Sequence, residues 1–210
     1  MPKIKYIFRD FRKTLVKLDD RKSYMAHIMR AYKLPKEVLV KALSKSMGKF
    51  IKGEISEDKL RKDFAKNLWL PLHKNCTKIF HMEIDSIAVL YKSIINLVRK
   101  LQKLWYHNVI LSDENMPEGD KIRKIGRYDD FEDVVLSHEI GLSKYDDVVN
   151  GTSKIFRYVL KKYGLKPSEA IFIDDREANC ISAQKLWIKT IIAKNPRQTI
   201  RDLKKLLKLS

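Results

Sequence analysis

Residues 4–16 read Ile4-Lys5-Tyr6-Ile7-Phe8-Arg9-Asp10-Phe11-Arg12-Lys13-Thr14-Leu15-Val16. The stretch opens as a short run of β-branched and aromatic residues, the pattern of a buried strand. It ends on a carboxylate, Asp10, with the Thr14 hydroxyl four positions on. In an open parallel α/β sheet, ligands bind just beyond the carboxyl ends of the strands. Asp10 is thereby placed to meet a ligand. By itself the stretch reads first as a strand closed by a turn-forming Asp, and only what the rest of the chain brings beside it changes that.

Downstream, helical signals come first. Tyr24, His27, Ile28 and Tyr32 mark one helix behind a cap at Asp19-Asp20. Pro35 opens a second, striped by Val38, Leu39, Ala42, Leu43 and Met47 and ended by Gly53. Ser56 caps a third, with Ile55 and Leu60 as a hydrophobic staple and Leu60, Phe64 and Leu68 inward. A long helix is expected from Asp85 to Trp105, with Ile87, Leu90, Tyr91, Ile94, Ile95, Val98 and Leu101 inward. Residues from about 17 to 100 therefore predict helices without a strand. Beyond them strands and helices alternate. Strands are expected at 108–111, 133–136, 170–173 and 189–193, and helices at 117–127, 153–163 (capped by Thr152 and stopped by Gly164), 178–187 and 199–209. Alternation of this kind predicts a parallel sheet. The expected fold is α/β: a Rossmann-like parallel sheet flanked by helices, built from residues 1–16 and 101–210, with residues 17–100 inserted as an all-helical cap.

The totals fit this reading. The chain has 210 residues, 44% hydrophobic and 33% charged, the balance of a globular rather than a disordered protein. No apolar run reaches the roughly 18 to 20 residues that cross a bilayer, and the first residues lack a secretory pattern. A cytoplasmic protein with no membrane partner is expected. Cys76 and Cys180 have neither metal-ligand nor framework spacing and read as reduced thiols. The net charge of +18 is the unusual total. It predicts attraction to polyanions or phosphorylated ligands and equally fits lysine-rich solvated helix faces.

Four expected strand tips carry polar side chains: Asp10, Ser112, Lys144 just past its strand, and Asp174-Asp175. On neighbouring parallel strands they meet at one edge. Carboxylates at Asp10 and Asp175 suit Mg²⁺, which prefers oxygen ligands. Ser112 and nearby amides suit a phosphoryl group, Lys144 would neutralise leftover charge, and Asp10 could attack phosphorus. Each residue alone also has an ordinary structural reading: a turn, a cap or a surface charge.

In that order these segments resemble the haloacid dehalogenase-like hydrolases over nearly the whole chain. Asp10-Phe11-Arg12-Lys13-Thr14 is similar to the first motif, Asp-x-Asp-x-Thr. Val109 to Ser112 is similar to the second, Lys144 in Gly141-Leu142-Ser143-Lys144 to the third, and Ile171 to Asp175 with Asn179 to the fourth. The helical block resembles the cap of the subgroup related to soluble epoxide hydrolase phosphatase domains. The resemblance implies Mg²⁺-dependent hydrolysis of a small phosphorylated substrate through an aspartyl-phosphate on Asp10. Asp10 and Lys144 would be catalytic, and Ser112, Asp113 and Lys144 would bind phosphate. Asp10, Asp175, Asp174 and the backbone carbonyl of Arg12 would hold the metal, with Thr14 and Asn179 supporting them. Dehalogenase chemistry fits less well, because the pair Asp174-Asp175 speaks for a metal site.

The departures are specific. The family's acid/base Asp, two positions after the nucleophile, is Arg12, which does not exchange protons near neutral pH. Lys13 stands where Gly is common, Arg9 where an apolar residue is usual, and Asp113 where Asn is common. Residues 145–151 read as an insertion. Three cations, Arg9, Arg12 and Lys13, are expected to crowd Asp10 and compete with Mg²⁺. The alternative expectation is therefore a catalytically silent member of the fold. It would bind RNA or a ribonucleoprotein through the basic terminal helix, 197–208, and the lysine-rich cap.

Overall fold

The computed structural model describes residues 4–18, 24–71, 88–124, 126–144, 148–149 and 151–209. Five parallel strands form its centre: β1 (Tyr6–Arg9), β4 (His107–Ser112), β5 (Asp133–Leu136), β8 (Ala170–Asp174) and β9 (Lys189–Ile192). Their order is β5-β4-β1-β8-β9. The first strand in the chain is thus the middle of the sheet, with Phe8 opposite Val109 on one side and Phe172 on the other. This is the expected parallel α/β core. Strands buried on both faces read as near-continuous apolar runs, which is why all five were visible.

Alternation sends side chains to two faces. Phe8, Val109, Leu111 and Phe172 pack with Ile155, Phe156 and Val159 of α7 (Lys154–Lys162) and with Cys180 and Ala183 of α8 (Glu177–Gln184). Ile7, Ile171, Ile173 and Ile191 face Leu97 and Leu101 of α4 (Lys92–Lys103) and Leu203 of α9 (Pro196–Leu207). Arg9 shares the face of Ile7 by strand alternation and is fully buried, with Nη2 3.4 Å from Asn108 Oδ1. Burial pushes its guanidinium down to about 9.

The segment 24–68 is helical: α1 (Tyr24–Tyr32), α2 (Lys36–Ile51) and α3 (Glu57–Leu68). The three share a separate cluster of Ile28, Leu39, Leu43, Phe50, Leu60 and Phe64. Ser56 caps α3 by accepting from the Lys59 amide at 3.2 Å, as expected. Val38, expected inward, is exposed. The expected cap at Asp19-Asp20, the side chains of Tyr24 and His27, and Cys76 lie outside the described residues.

The expectation of helix throughout 17–100 is corrected at both ends. β2 (Val16–Leu18) pairs antiparallel with β3 (Ala88–Leu90), and the Tyr91 amide donates to Leu15 O at 2.9 Å. The helix expected from Asp85 therefore starts after Tyr91. Its apolar face (Ile94, Ile95, Val98) packs on the sheet with Phe11, Leu15 and Ile110. The expected boundary at 100/101 falls inside this sheet-packed helix. Smaller corrections follow from capping. Ser153 rather than Thr152 caps α7, and Asn195 caps α9 with Pro196 at its first turn, so α9 starts earlier than Thr199. β6 (Val148–Val149) pairs antiparallel with β7 (Thr152–Ser153), a small hairpin that straddles the end of the expected insertion.

Candidate active site

Asp10 follows directly on β1, its amide donating to Ile173 O at 2.9 Å. Ser112 ends the neighbouring β4 and Asp174 ends β8, so register alone sets three polar side chains beside one another. Ser112 Oγ donates to Asp10 Oδ1 at 2.9 Å. Lys144 reaches in from the loop after α6 (Ser137–Ile140), and its ammonium donates to Asp10 Oδ1 at 2.6 Å and to Asp174 Oδ2 at 2.7 Å. Asn179 Nδ2 also donates to Asp174 Oδ2 at 3.1 Å, and the Arg176 amide to Oδ1 at 2.8 Å. Asp10, Asp174 and half-buried Asp175 each bring a carboxylate oxygen within 4.8 Å of the others.

The electrostatics follow from crowding. One ammonium faces three carboxylates. Burial would lower the Lys144 ammonium, but Asp10, Asp174 and Asp113 more than reverse this and hold it charged. Burial raises the carboxyl of Asp10 and that of Asp175, and neighbouring carboxylates add to both shifts. The cluster keeps an excess of negative charge in a largely dry setting, held by hard oxygen donors. That donor set and charge fit a small divalent cation.

Asp113 does not point at a ligand position. Its carboxylate accepts from the Lys144 backbone amide, at 3.0 and 3.2 Å from the two oxygens, and so pins the loop that delivers the ammonium. Burial pushes its carboxyl up to about 6. Thr14 is buried, and its hydroxyl has no hydrogen-bond partner among the described residues.

The crowding of Asp10 by Arg9, Arg12 and Lys13 is not found. Arg9 is inside the sheet's face, Lys13 is exposed, and the cation on Asp10 is Lys144. Arg12 turns to two carboxylates that sequence reading did not single out. Its Nε lies 3.1 Å from both oxygens of Glu114, its Nη2 lies 2.8 Å from Oε2, and Nη2 also pairs with Glu118 on α5 (Met116–Lys124). Glu114 is buried, and burial pushes its carboxyl up to about 7 against the pull of Arg12. A trace was present in the sequence: an acidic residue two places after Ser112, where a cation had replaced the acid two places after Asp10.

Glu114 is held from behind as well. Its amide donates to Ser137 Oγ at 3.0 Å, and its carbonyl accepts from His138 Nδ1 at 2.7 Å, which places the proton on that nitrogen. Ser137 Oγ also lies 2.8 Å from Ile51 O at the end of α2, tying the helical segment to the site. Gly53 at φ +73° makes that approach possible, since a β carbon there would stand 2.8 Å from His138 O.

A parallel sheet whose central strand tip carries Asp10, answered by Ser112, Lys144 and an acidic doublet, defines a hydrolase of the haloacid dehalogenase-like type. The model of the haloacid dehalogenase-like hydrolases matches residues 6–186, and the chain belongs to that family. Among solved structures, one from Porphyromonas gingivalis, called a "predicted HAD-like family hydrolase", is similar at 21% identity with a TM-score of 0.76, covering 100% of both chains. A HAD family enzyme from Bacteroides thetaiotaomicron, in complex with magnesium and inorganic phosphate, is similar at 24% identity with a TM-score of 0.67, covering 90% of this chain and 93% of that one. Acyl-CoA dehydrogenase family member 10 of Mus musculus is 25% identical over 164 residues, which are 76% of this chain and 15% of the mouse protein. The chain thus matches a small part of that relative's length.

Proposed function

We propose that the chain is a Mg²⁺-dependent phosphohydrolase that forms an aspartyl-phosphate on Asp10 from a small phosphorylated substrate, with residues 24–68 acting as a cap over the site. The observation that carries this reading is the approach of Asp10, Asp174 and Asp175 to within 4.8 Å around a single ammonium. Asp10, Asp175 and Asp174, with the Arg12 carbonyl, would hold the metal. When bound, the ion would offset carboxylate charge and polarise the phosphoryl oxygens.

The chain's own residues divide the rest. Lys144 and Ser112 both bond Oδ1 of Asp10, which leaves the second oxygen to attack phosphorus. That bond forms as the substrate's ester P–O bond breaks and the alcohol departs. Water then attacks phosphorus, the Asp10–phosphorus bond breaks, and inorganic phosphate leaves. Ser112 and Lys144 are the donors for the phosphoryl oxygens. Arg12 supplies no proton to the departing alcohol, and Glu114 is engaged with Arg12. Solvent is then the proton source, and substrates with acidic leaving groups are favoured.

The test is hydrolysis of an aryl phosphate with and without Mg²⁺. Turnover that needs the ion and vanishes in Asp10→Asn is expected; turnover unchanged by the substitution would falsify the reading. The replacement at position 12 favours one other reading, a silent family member, which predicts Mg²⁺ binding without turnover.

A further inference from the structure

The opposite end of the sheet has its own chemistry. All five strands enter from one edge, far from Asp10, and the helices that feed or follow them end there: α4, α5, α7, α8 and α9. Cations gather in the last turn of a helix because they oppose its dipole. Here that bias recurs on one edge, with exposed Lys100, Lys103, Lys161, Lys166, Lys205 and Lys208. Most acids on the same edge are matched by cations, Glu169 by Lys5 at 2.6 Å, Asp133 by Lys162 at 2.8 Å and Asp130 by Arg99, while Glu132 lies 2.7 Å from the His107 ring and Asp129 is exposed. None of the six lysines is within salt-bridge distance of a carboxylate among the described residues.

Two tryptophans stand among them. Trp105 follows α4 and is 88% exposed; Trp187 follows α8 and is 85% exposed. Both have positive φ, 64° and 66°, where a helix ordinarily ends on glycine. The fold therefore gains neither burial nor backbone ease from an indole at either place. The register puts them level. His107 and Ala170 both align with Tyr6, and Ile171 aligns with Lys189, so Trp105 and Trp187 each lie just below the sheet. Two strands lie between theirs, an offset of about 14 Å along the sheet, and the helices they follow flank its opposite faces. Exposed Leu104 and Leu206 lie at the ends of α4 and α9 on the same edge.

We propose that this edge binds the surface of an anionic phospholipid bilayer, with Trp105, Trp187, Leu104 and Leu206 entering the headgroup boundary and the lysines meeting lipid phosphates and carboxylates. Indoles favour that boundary, and lysine gains from anionic lipid. The aliphatic pair separates this partner from single-stranded nucleic acid, whose bases stack on aromatic planes and gain nothing from leucine. No described helix is long and apolar enough to cross a bilayer. The surface therefore adds a peripheral contact to a chain that was expected to have no membrane partner. It leaves the Asp10 edge turned to water.

The test is sedimentation of the full chain with phosphatidylserine–phosphatidylcholine vesicles, against phosphatidylcholine alone. Binding to the anionic vesicles only, weakened by salt, is expected. Trp105→Gly/Trp187→Gly should weaken it roughly tenfold or more. Glycine suits the positive φ at both sites, so the thermal midpoint should not fall, which separates lost binding from lost folding. Trp69→Gly is the matched control, since Trp69 is 94% exposed at φ 56° just past the end of α3 and away from this edge; it should bind like the parent. The proposal is overturned by equal binding of the double variant and the parent, by failure to bind anionic vesicles, or by loss of binding in the Trp69 control. It is also overturned if a short single-stranded RNA displaces the protein from vesicles and binds with the same tryptophan dependence.

Discussion

Asp10 sits between two ion clusters that satisfy their one cation differently. On one side a single ammonium, Lys144, is shared by Asp10 and Asp174 with Asp175 close by, and the cluster stays negative. On the other side the guanidinium of Arg12 meets Glu114 and Glu118, which raise it far above any working pH. The first cluster is unfinished in charge and suits a dication. The second also has one cation for two carboxylates, but both carboxylates are bonded to it, and it solves a different problem, where to put the cation that stands two residues past Asp10. Planar Arg, doubly bonded to Glu114, is held off by shape as well as charge. The cation at position 12 is thus taken up by partners just past β4 and on α5, and the architecture around Asp10 accommodates it.

The contrast makes ordered predictions. Removing the shared cation should have the largest effect. Lys144→Met leaves two buried carboxylates unanswered and should cost about 3–5 kcal/mol, read by denaturant unfolding of the metal-free protein. Parent-like stability would mean that the ammonium is not the keystone of the negative cluster. Next comes the closed cluster. Arg12→Asp sets three carboxylates together and should cost about 3 kcal/mol. The double variant Arg12→Asp/Glu114→Gln removes that repulsion. It should recover most of the stability and raise aryl-phosphate turnover on the order of 10²-fold by returning an acid/base group. No gain in the double variant would show that Arg12 is not what limits turnover. The smallest effect is at Asp113. An asparagine keeps the bond from the Lys144 amide and deletes a buried charge, so Asp113→Asn should add about 1–2 kcal/mol near neutral pH. The sign is fixed by its carboxyl, which binds a proton more tightly in the folded chain, at about 6, than in the unfolded one. The contribution of Asp113 to parent stability should therefore fall as pH climbs from about 4 to about 6 and level off above. The asparagine variant should show a shallower slope than the parent in urea titrations across that range, the raised carboxyl of Glu114 keeping the remainder.

Much of the sheet was legible because its strands are buried on both faces and bounded by polar tips. The same tips announced Asp10, Ser112, Lys144 and Asp174, since parallel register converts positions scattered along the chain into neighbours. The ladder between Val16–Leu18 and Ala88–Leu90 was not legible. Three residues are too few to display a period of two, and Leu90, Ile94 and Val98 continue a helical spacing across the true boundary at Tyr91. Arg12 was read as an intruder on Asp10 because its partners are more than a hundred positions away. Arg9 misled for a related reason. A charge one residue before the nucleophile reads as part of the site, yet alternation turns it to the other side of the layer, against Asn108.

The β2–β3 pair has a mechanical consequence. Both passages of the chain between the sheet and the helices over 24–68 run through this one ribbon, closed at its base by the Tyr91–Leu15 bond and seated by Leu15 and Val16 in the interior. A hydrogen-bonded ribbon bends and twists more readily than it splays. The helices over 24–68 are therefore fastened at two points, this ribbon and the Ser137–Ile51 bond, and releasing the second would leave the ribbon as their flexure.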